Sequence, residues 1–123
     1  MKIAIPVKTN KDNPPLSPLF GKAKWFAIVQ DNNTEIVKNE QDSGRGVVEW
    51  LYSLGIDAII FQRVGYAPYE MIKEIGSIDM FYGGEKRILL DEALKKFQND
   101  ELDMIDDTNI STIVREHDRK HQR

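Results

Sequence analysis

Two short apolar runs, each preceded by a segment with helical spacing, constrain the fold of this chain more than any other feature. The runs are Asp57–Gln62 (DAIIFQ), which has the composition of a strand covered on two faces, and Ile78–Tyr82 (IDMFY), which is predicted to be the final strand. A helix between consecutive strands of one sheet makes those strands parallel. The second half of the chain is therefore predicted to form parallel strands connected by helices.

The first forty residues follow an antiparallel pattern instead. Lys2–Val7 alternates as a strand, and a loop rich in proline and asparagine follows it over 8–20. Trp25–Gln30 and Thr34–Asn39 flank a tripeptide of Asp and Asn, residues that tolerate the positive φ of a tight hairpin turn. These segments are predicted to form the first three strands, with the second antiparallel to the first and the third.

Three helices are predicted after residue 42. Ser43 is a plausible N-cap for the first helix, and Gly55 ends it. The second is predicted over Ala67–Ile75 and the third over Ile88–Phe97, with an irregular stretch past residue 99 and a frayed helix over Ser111–His117. The order β-β-β-α-β-α-β-α corresponds to an α/β fold in which helices flank a mixed five-stranded sheet.

Composition excludes several classes of protein. The chain has 123 residues, enough for one domain, and no cysteine, which excludes disulfides, thiolate catalysis and Cys-ligated metal sites. The sequence pI near 5.4 does not support nucleic-acid binding. No apolar run approaches the ~20 residues of a membrane helix, and no signal peptide precedes the first strand. We therefore expect a cytoplasmic protein with neither a nucleic-acid nor a membrane partner.

The carboxyl ends of strands one, three, four and five are predicted to meet at one edge of the sheet, where open α/β folds bind ligands. Loops 8–20, 41–46, 63–67 and 83–87 reach that edge, and each contains glycine or proline and at least one Lys or Arg. Two of them lead into helix N-termini, whose free amides attract anions. We predict an anionic small molecule or cofactor, with Arg45 and Arg63 supplying charge. The predicted binding residues are Lys8, Ser17, Phe20, Gly21, Gly44, Arg45, Gly46, Arg63, Gly65, Gly83 and Gly84.

Several motifs resemble the dinitrogenase iron–molybdenum cofactor biosynthesis family. In chain order they are SPLFGKA at 17–23 followed by Trp25-Phe26, the helix start Gly44-Arg45-Gly46, LGIDAII at 54–60, Gly65 and Glu92-Ala93-Leu94. The resemblance covers about 2–102 and implies a ribonuclease H-like fold and an accessory role in nitrogen fixation. It places a domain at 1–102 and leaves a charged C-terminal tail at 103–123.

The resemblance implies the iron–molybdenum cofactor or a precursor cluster as the ligand, because members of the family bind or carry such clusters. The residues themselves leave the ligand open, since no Cys or His precedes His117. His117 and His121 have the i, i+4 spacing of a metal-binding pair on a helix, but only Glu116 and Asp118 lie near them. We interpret this region as a solvated tail and predict no metal site.

Catalysis is not predicted. A nuclease with this architecture needs carboxylates on the first strand, which has none, and no histidine lies within the domain to activate a serine. The chain also lacks the glycine motifs of nucleotide-binding loops. The alternative to a ligand-binding accessory protein is an interaction or assembly module, as a homodimer or with another protein, and with no small ligand. Trp50 and Tyr52 support that alternative because they lie off the apolar stripe of the first helix.

Overall fold

A mixed five-stranded sheet organises residues 1–113, the part of the chain that the computed structural model describes. The order in the sheet is β3-β2-β1-β4-β5; β2 is antiparallel to both neighbours, and β1, β4 and β5 are mutually parallel. This arrangement confirms the predicted α/β fold. The strands are β1 (Lys2–Val7), β2 (Trp25–Gln30), β3 (Asn33–Lys38), β4 (Ala58–Phe61) and β5 (Asp79–Tyr82).

The helices are α1 (Gly44–Ser53), α2 (Tyr66–Ile75) and α3 (Leu90–Gln98), and short 3-10 turns lie at Phe20–Lys22 and Ile110–Thr112. Ser43 caps α1, because its Oγ accepts a hydrogen bond from the Gly46 amide at 3.0 Å. Gly76 ends α2 in the left-handed conformation, with φ of 77°. Over residues 1–113, no helix is long and apolar enough to cross a membrane.

Two buried clusters lie on opposite faces of the sheet, because successive residues of a strand point to opposite faces. Leu51 of α1 and Ile72 of α2 pack in one cluster, together with Ile59 of β4. Ala93 of α3 packs in the other, together with Ile60. The sheet therefore separates α1 and α2 from α3.

The third helix begins at Leu90 and not at Ile88, where the sequence pattern placed its start. The Leu90 amide donates to the Pro14 carbonyl at 2.9 Å, and the Asp91 amide donates to Asn13 Oδ1 at 2.8 Å. The loop after β1 therefore supplies the acceptors for the first amides of α3 and determines where the helix begins.

Residues 103–105 extend the sheet beyond β5. The Tyr82 amide donates to the Asp103 carbonyl at 2.9 Å, and the Ile105 amide donates to the Met80 carbonyl at 2.8 Å. These residues fall in the part of the chain that the sequence pattern placed in the charged tail. They cover an edge of the sheet that would otherwise expose unpaired backbone groups.

The chain then continues across the helical layer that contains α2. Ile105, Ile110 and Ile113 are at most 4% exposed and belong to the cluster beneath α1 and α2. Of the helix predicted over Ser111–His117, the described part forms only the turn at Ile110–Thr112. His117 and His121 lie outside the described residues.

Candidate functional site

The strand topology brings the four predicted loops to one edge of the sheet, which we call the rim. β1, β4 and β5 are parallel, and β3 runs in the same direction because β2 is antiparallel to both β1 and β3. The chain leaves β1 toward β2 on one side, whereas β4 pairs with β1 on the other. This divergence is a topological switch point, the place where open α/β sheets bind ligands.

A cleft of about 320 Å³ opens at the rim between the 3-10 turn that follows the β1 loop and the N-termini of α1 and α2. We call it the α1–α2 cleft. Because its walls come from the loops after β1, β3 and β4, it lies beside the switch point. Its lining residues are Phe20, Gly21, Lys22, Asp42, Ser43, Gly44, Arg45, Val64, Gly65, Tyr66, Ala67 and Pro68.

Close backbone packing holds the walls of the cleft together. A Cβ added to Gly21 would lie 3.1 Å from Gly44 Cα, and a Cβ added to Gly44 would lie 3.0 Å from Pro68 Cγ. The Phe20 amide donates to the Arg63 carbonyl at 3.0 Å and joins the 3-10 turn to the loop after β4. Glycine permits these approaches because it has no side chain, so Gly21 and Gly44 set the spacing of the walls.

The first turns of the two helices at the cleft contain no acidic residue. No side chain of residues 1–113 caps α2. The Ser43 hydroxyl accepts from the Gly46 amide, and the Ser43 carbonyl accepts from the Val47 amide. Four further amides have no hydrogen-bond acceptor within residues 1–113, those of Gly44, Arg45, Tyr66 and Ala67. Such amides, together with the helix dipoles, favour an anion.

The N-terminus of α3 shows the opposite arrangement. Asp91 and Glu92 lie in its first turn, and Asn13 and Pro14 accept hydrogen bonds from its first amides. An acidic residue at this position typically stabilises a helix by about 0.3–1 kcal/mol. α1 and α2 lack that stabilisation, so their N-termini are the ones suited to an external anion.

The side chains of the cleft are of the kind that contact the outer atoms of a bound anion. Lys22 and Arg45 are exposed cations, and Asp42 is the one carboxylate of the lining. Among residues 1–113, the lining contains neither Cys nor His, and no group of three His, Cys, Asp or Glu in the same range could hold a metal ion. A metal cluster bound in this cleft would have to carry its own inner ligands.

Five of the residues predicted to bind a ligand line the α1–α2 cleft: Phe20, Gly21, Gly44, Arg45 and Gly65. The other six lie elsewhere.

Lys8 is exposed on the loop after β1, Ser17 is buried, and Gly46 lies inside α1 with its amide bonded to Ser43. Arg63, Gly83 and Gly84 lie at the β4–β5 end of the rim, in two further depressions. Arg45 and Arg63 therefore line different cavities. The binding role of all these residues stays a prediction.

The prediction of binding residues did not include Lys22, Asp42 and Tyr66, which also line the cleft. Lys22 lies within the motif at 17–23, whereas Asp42 precedes the α1 cap and Tyr66 follows Gly65. Proximity to a recognised motif or to a helix start was therefore the signal that could have identified them.

The fold is that of a small α/β domain of ribonuclease H-like topology, with a cleft beside its switch point. The family model described as dinitrogenase iron–molybdenum cofactor matches residues 1–100. The chain belongs to this family, and the resemblance seen in its motifs is confirmed.

Individual relatives agree with this assignment. An uncharacterised protein of Methanocaldococcus jannaschii is 34% identical over 113 residues, which are 84% of this chain and 90% of the relative. A Thermotoga protein described as a candidate NifB protein superimposes with a TM-score of 0.71 at 26% identity, over 84% of this chain and 91% of its own. The apo form of the orange protein from Desulfovibrio gigas has the same fold, with a TM-score of 0.74 at 19% identity over 85% and 92% of the two chains.

Proposed function

We propose that this protein is a non-catalytic accessory protein that binds a compact anion in the α1–α2 cleft. The observation that carries the proposal is the pair of helix N-termini without acidic residues on two walls of one cleft. Membership of the dinitrogenase iron–molybdenum cofactor family supports an anionic metal-cofactor precursor as the cargo. A small anion of another kind would satisfy the same contacts.

The cleft would hold its cargo without forming a bond to a metal. Backbone amides donate to the outer atoms of the anion, and Lys22 and Arg45 add charge. The lining has no thiolate or imidazole that could displace a ligand from the cargo. The cargo would therefore enter and leave chemically unchanged, as transport or storage requires.

The side chains of the cleft also support a non-catalytic role. Ser43 lies at the cleft without a histidine among the lining residues, and its Oγ is engaged by the Gly46 amide. Acid–base catalysis by two carboxylates requires one to act as the acid and the other as the base. Among residues 1–113, Asp42 is the one carboxylate that lines the cleft. These groups can therefore supply binding energy for an anion.

Calorimetric titration with sodium molybdate and with inorganic phosphate at low salt tests the proposal. We expect Arg45→Ala to weaken binding about tenfold or more, because hydrogen bonds to charged groups are worth about 1.5–3 kcal/mol. Arg87→Ala is the matched control, since Arg87 is an exposed arginine that lines a different depression. It should change Kd by less than about twofold.

An equal loss in both variants would show that the anions respond to net charge and not to the cleft. Failure of the wild-type protein to bind either anion would contradict the proposal. Native mass spectrometry of the protein purified without added ligand would identify the cargo by its mass.

One observation favours the second candidate, an assembly module without a small ligand. Tyr52 projects from α1 and is 57% exposed, whereas Trp50 packs edge-to-face on Phe26 with ring centroids 5.7 Å apart. Light scattering after size-exclusion chromatography separates the cases. A dimer that Tyr52→Ala dissociates would support the module, and a wild-type monomer at high concentration would contradict a homodimer.

A further inference from the structure

A small polar chamber lies at the β4–β5 end of the rim, outside the α1–α2 cleft. Its volume is about 30 Å³, which is enough for one or two water molecules because about 10–15 Å³ suffices for one. We call it the β4–β5 chamber. It is lined by Pro18, Gln62, Arg63, Tyr82, Gly84, Glu85 and Thr112.

Gln62 is the most deeply placed polar side chain of the chamber, with 6% of its surface exposed. Its Nε2 donates to the Lys86 carbonyl at 2.6 Å, which fixes the orientation of the amide. Its Oε1 accepts no hydrogen bond from any residue in 1–113. Because a buried carbonyl oxygen without a donor is destabilising, this atom requires a donor from outside the described residues.

The charged groups around the chamber determine what kind of molecule can supply that donor. Arg63 disfavours a cation, whereas Glu85 and the Gln62 oxygen disfavour an anion. Burial, reinforced by the Glu85 carboxylate, raises the pKa of Tyr82 against the opposing effect of Arg63, so its hydroxyl stays protonated and can donate. A small neutral molecule that both donates and accepts hydrogen bonds fits these groups, and water has that chemistry.

We propose that the β4–β5 chamber binds ordered water that bridges Gln62 Oε1 and the Tyr82 hydroxyl. Gln62 is bonded through Nε2 to the loop after β5, and it directly precedes Arg63, whose carbonyl holds the 3-10 turn of the cleft. Thr112 brings the C-terminal segment to the same chamber. The bound water connects the residue that follows β4 with the last residue of β5.

A double-mutant cycle in the full chain tests the water bridge. Gln62→Met removes the acceptor together with the Nε2 bond to the Lys86 carbonyl, and Tyr82→Phe removes the donor, both with little change of shape. Each should lower the folding equilibrium constant by at least about threefold, and Gln62→Met by more than Tyr82→Phe. The double variant should lose no more than Gln62→Met alone, because the first substitution already breaks the bridge. Tyr52→Phe is the matched control, because Tyr52 is exposed on α1. Combined with Gln62→Met, it should lower the folding equilibrium constant by the product of the two single effects.

Three results would overturn the proposal. If the double variant lowers the folding equilibrium constant by the product of the two single effects, Gln62 and Tyr82 share no water. A stabilising effect of Gln62→Met would show that Oε1 has no partner in the native protein. A high-resolution crystal structure of the full chain, which does not depend on the variants folding, should show water within hydrogen-bond distance of both atoms. A protein side chain bonded to Oε1 would contradict the bridge.

Discussion

Adding one methyl group at Gly21 tests whether the α1–α2 cleft depends on close backbone packing. The new Cβ would lie 3.1 Å from Gly44 Cα and 3.4 Å from Gly44 N, so relief requires moving the start of α1. Overpacking of this kind costs about 1–3 kcal/mol, whereas replacing glycine restricts the unfolded chain and restores about 0.4–1 kcal/mol. We expect Gly21→Ala to lower the free energy of unfolding by about 1–2 kcal/mol and to weaken anion binding.

Urea denaturation followed by tryptophan fluorescence measures the change in stability, and calorimetry with molybdate measures the change in affinity. A loss of 1–2 kcal/mol corresponds to a Tm lowered by roughly 4–8 °C for a domain of this size. Lys24→Ala is the control, because it truncates an exposed side chain nearby that does not line the cleft, so it should cost less than about 0.5 kcal/mol and leave the affinity unchanged. Wild-type stability and affinity in Gly21→Ala would refute the role assigned to this contact.

Residues 103–113 provide two further predictions. Hydrogen bonds from the Tyr69 hydroxyl at 2.6 Å and from Lys73 Nζ at 2.9 Å lower the pKa of Asp107. The stabilisation by these bonds is complete above the ordinary pKa of aspartate and is lost as the pH falls through the lowered pKa of Asp107. Asp107→Asn should therefore make the free energy of unfolding, measured by urea denaturation, less dependent on pH on the acid side. An unchanged pH dependence would contradict this. Ile113→Ala should lower the free energy of unfolding by about 2–4 kcal/mol, because Ile113 is 2% exposed. Exposed Ser111→Ala should cost less than about 0.5 kcal/mol, and equal losses in the two variants would place Ile113 outside the core.

Secondary structure was predictable from the sequence where the partner of a backbone group lies nearby in the chain. The α1 cap needs only Ser43 and Gly46, three residues apart, and Gly76 ends α2 through its own backbone conformation. The start of α3 depends instead on Asn13, which lies 78 residues before the amide that it accepts from. No local pattern contains that information, so the helical spacing placed the start two residues early.

The rim was predictable, but its division into cavities was not. The order of strands and helices determines which strand ends share an edge, and that order can be read from periodicity. Whether the Arg63 side chain lines the α1–α2 cleft or the β4–β5 chamber depends on how the loop after β4 turns between Gln62 and Gly65. The Arg63 carbonyl bonds to the 3-10 turn, while its side chain lines the β4–β5 chamber near Tyr82.

The contribution of residues 103–113 to the core was missed for a related reason. Ile105, Ile110 and Ile113 are separated by acidic and polar residues at a spacing that matches neither a strand nor a helix. Their burial depends on backbone hydrogen bonds to β5 and on the Tyr69–Asp107 contact, all of them long-range. Three isoleucines within an acidic stretch were the available signal, and it is a weak one.

Backbone amide NMR during a titration with molybdate tests anion binding at the α1–α2 cleft most directly. The signals of Gly44, Arg45, Tyr66 and Ala67 should shift together and saturate, because these residues line the cleft and their amides have no acceptor within residues 1–113. The signals of Leu90 and Asp91 should stay in place, because Pro14 and Asn13 already accept from them. Shifts of equal size at both groups, or none at the four cleft amides, would contradict the account.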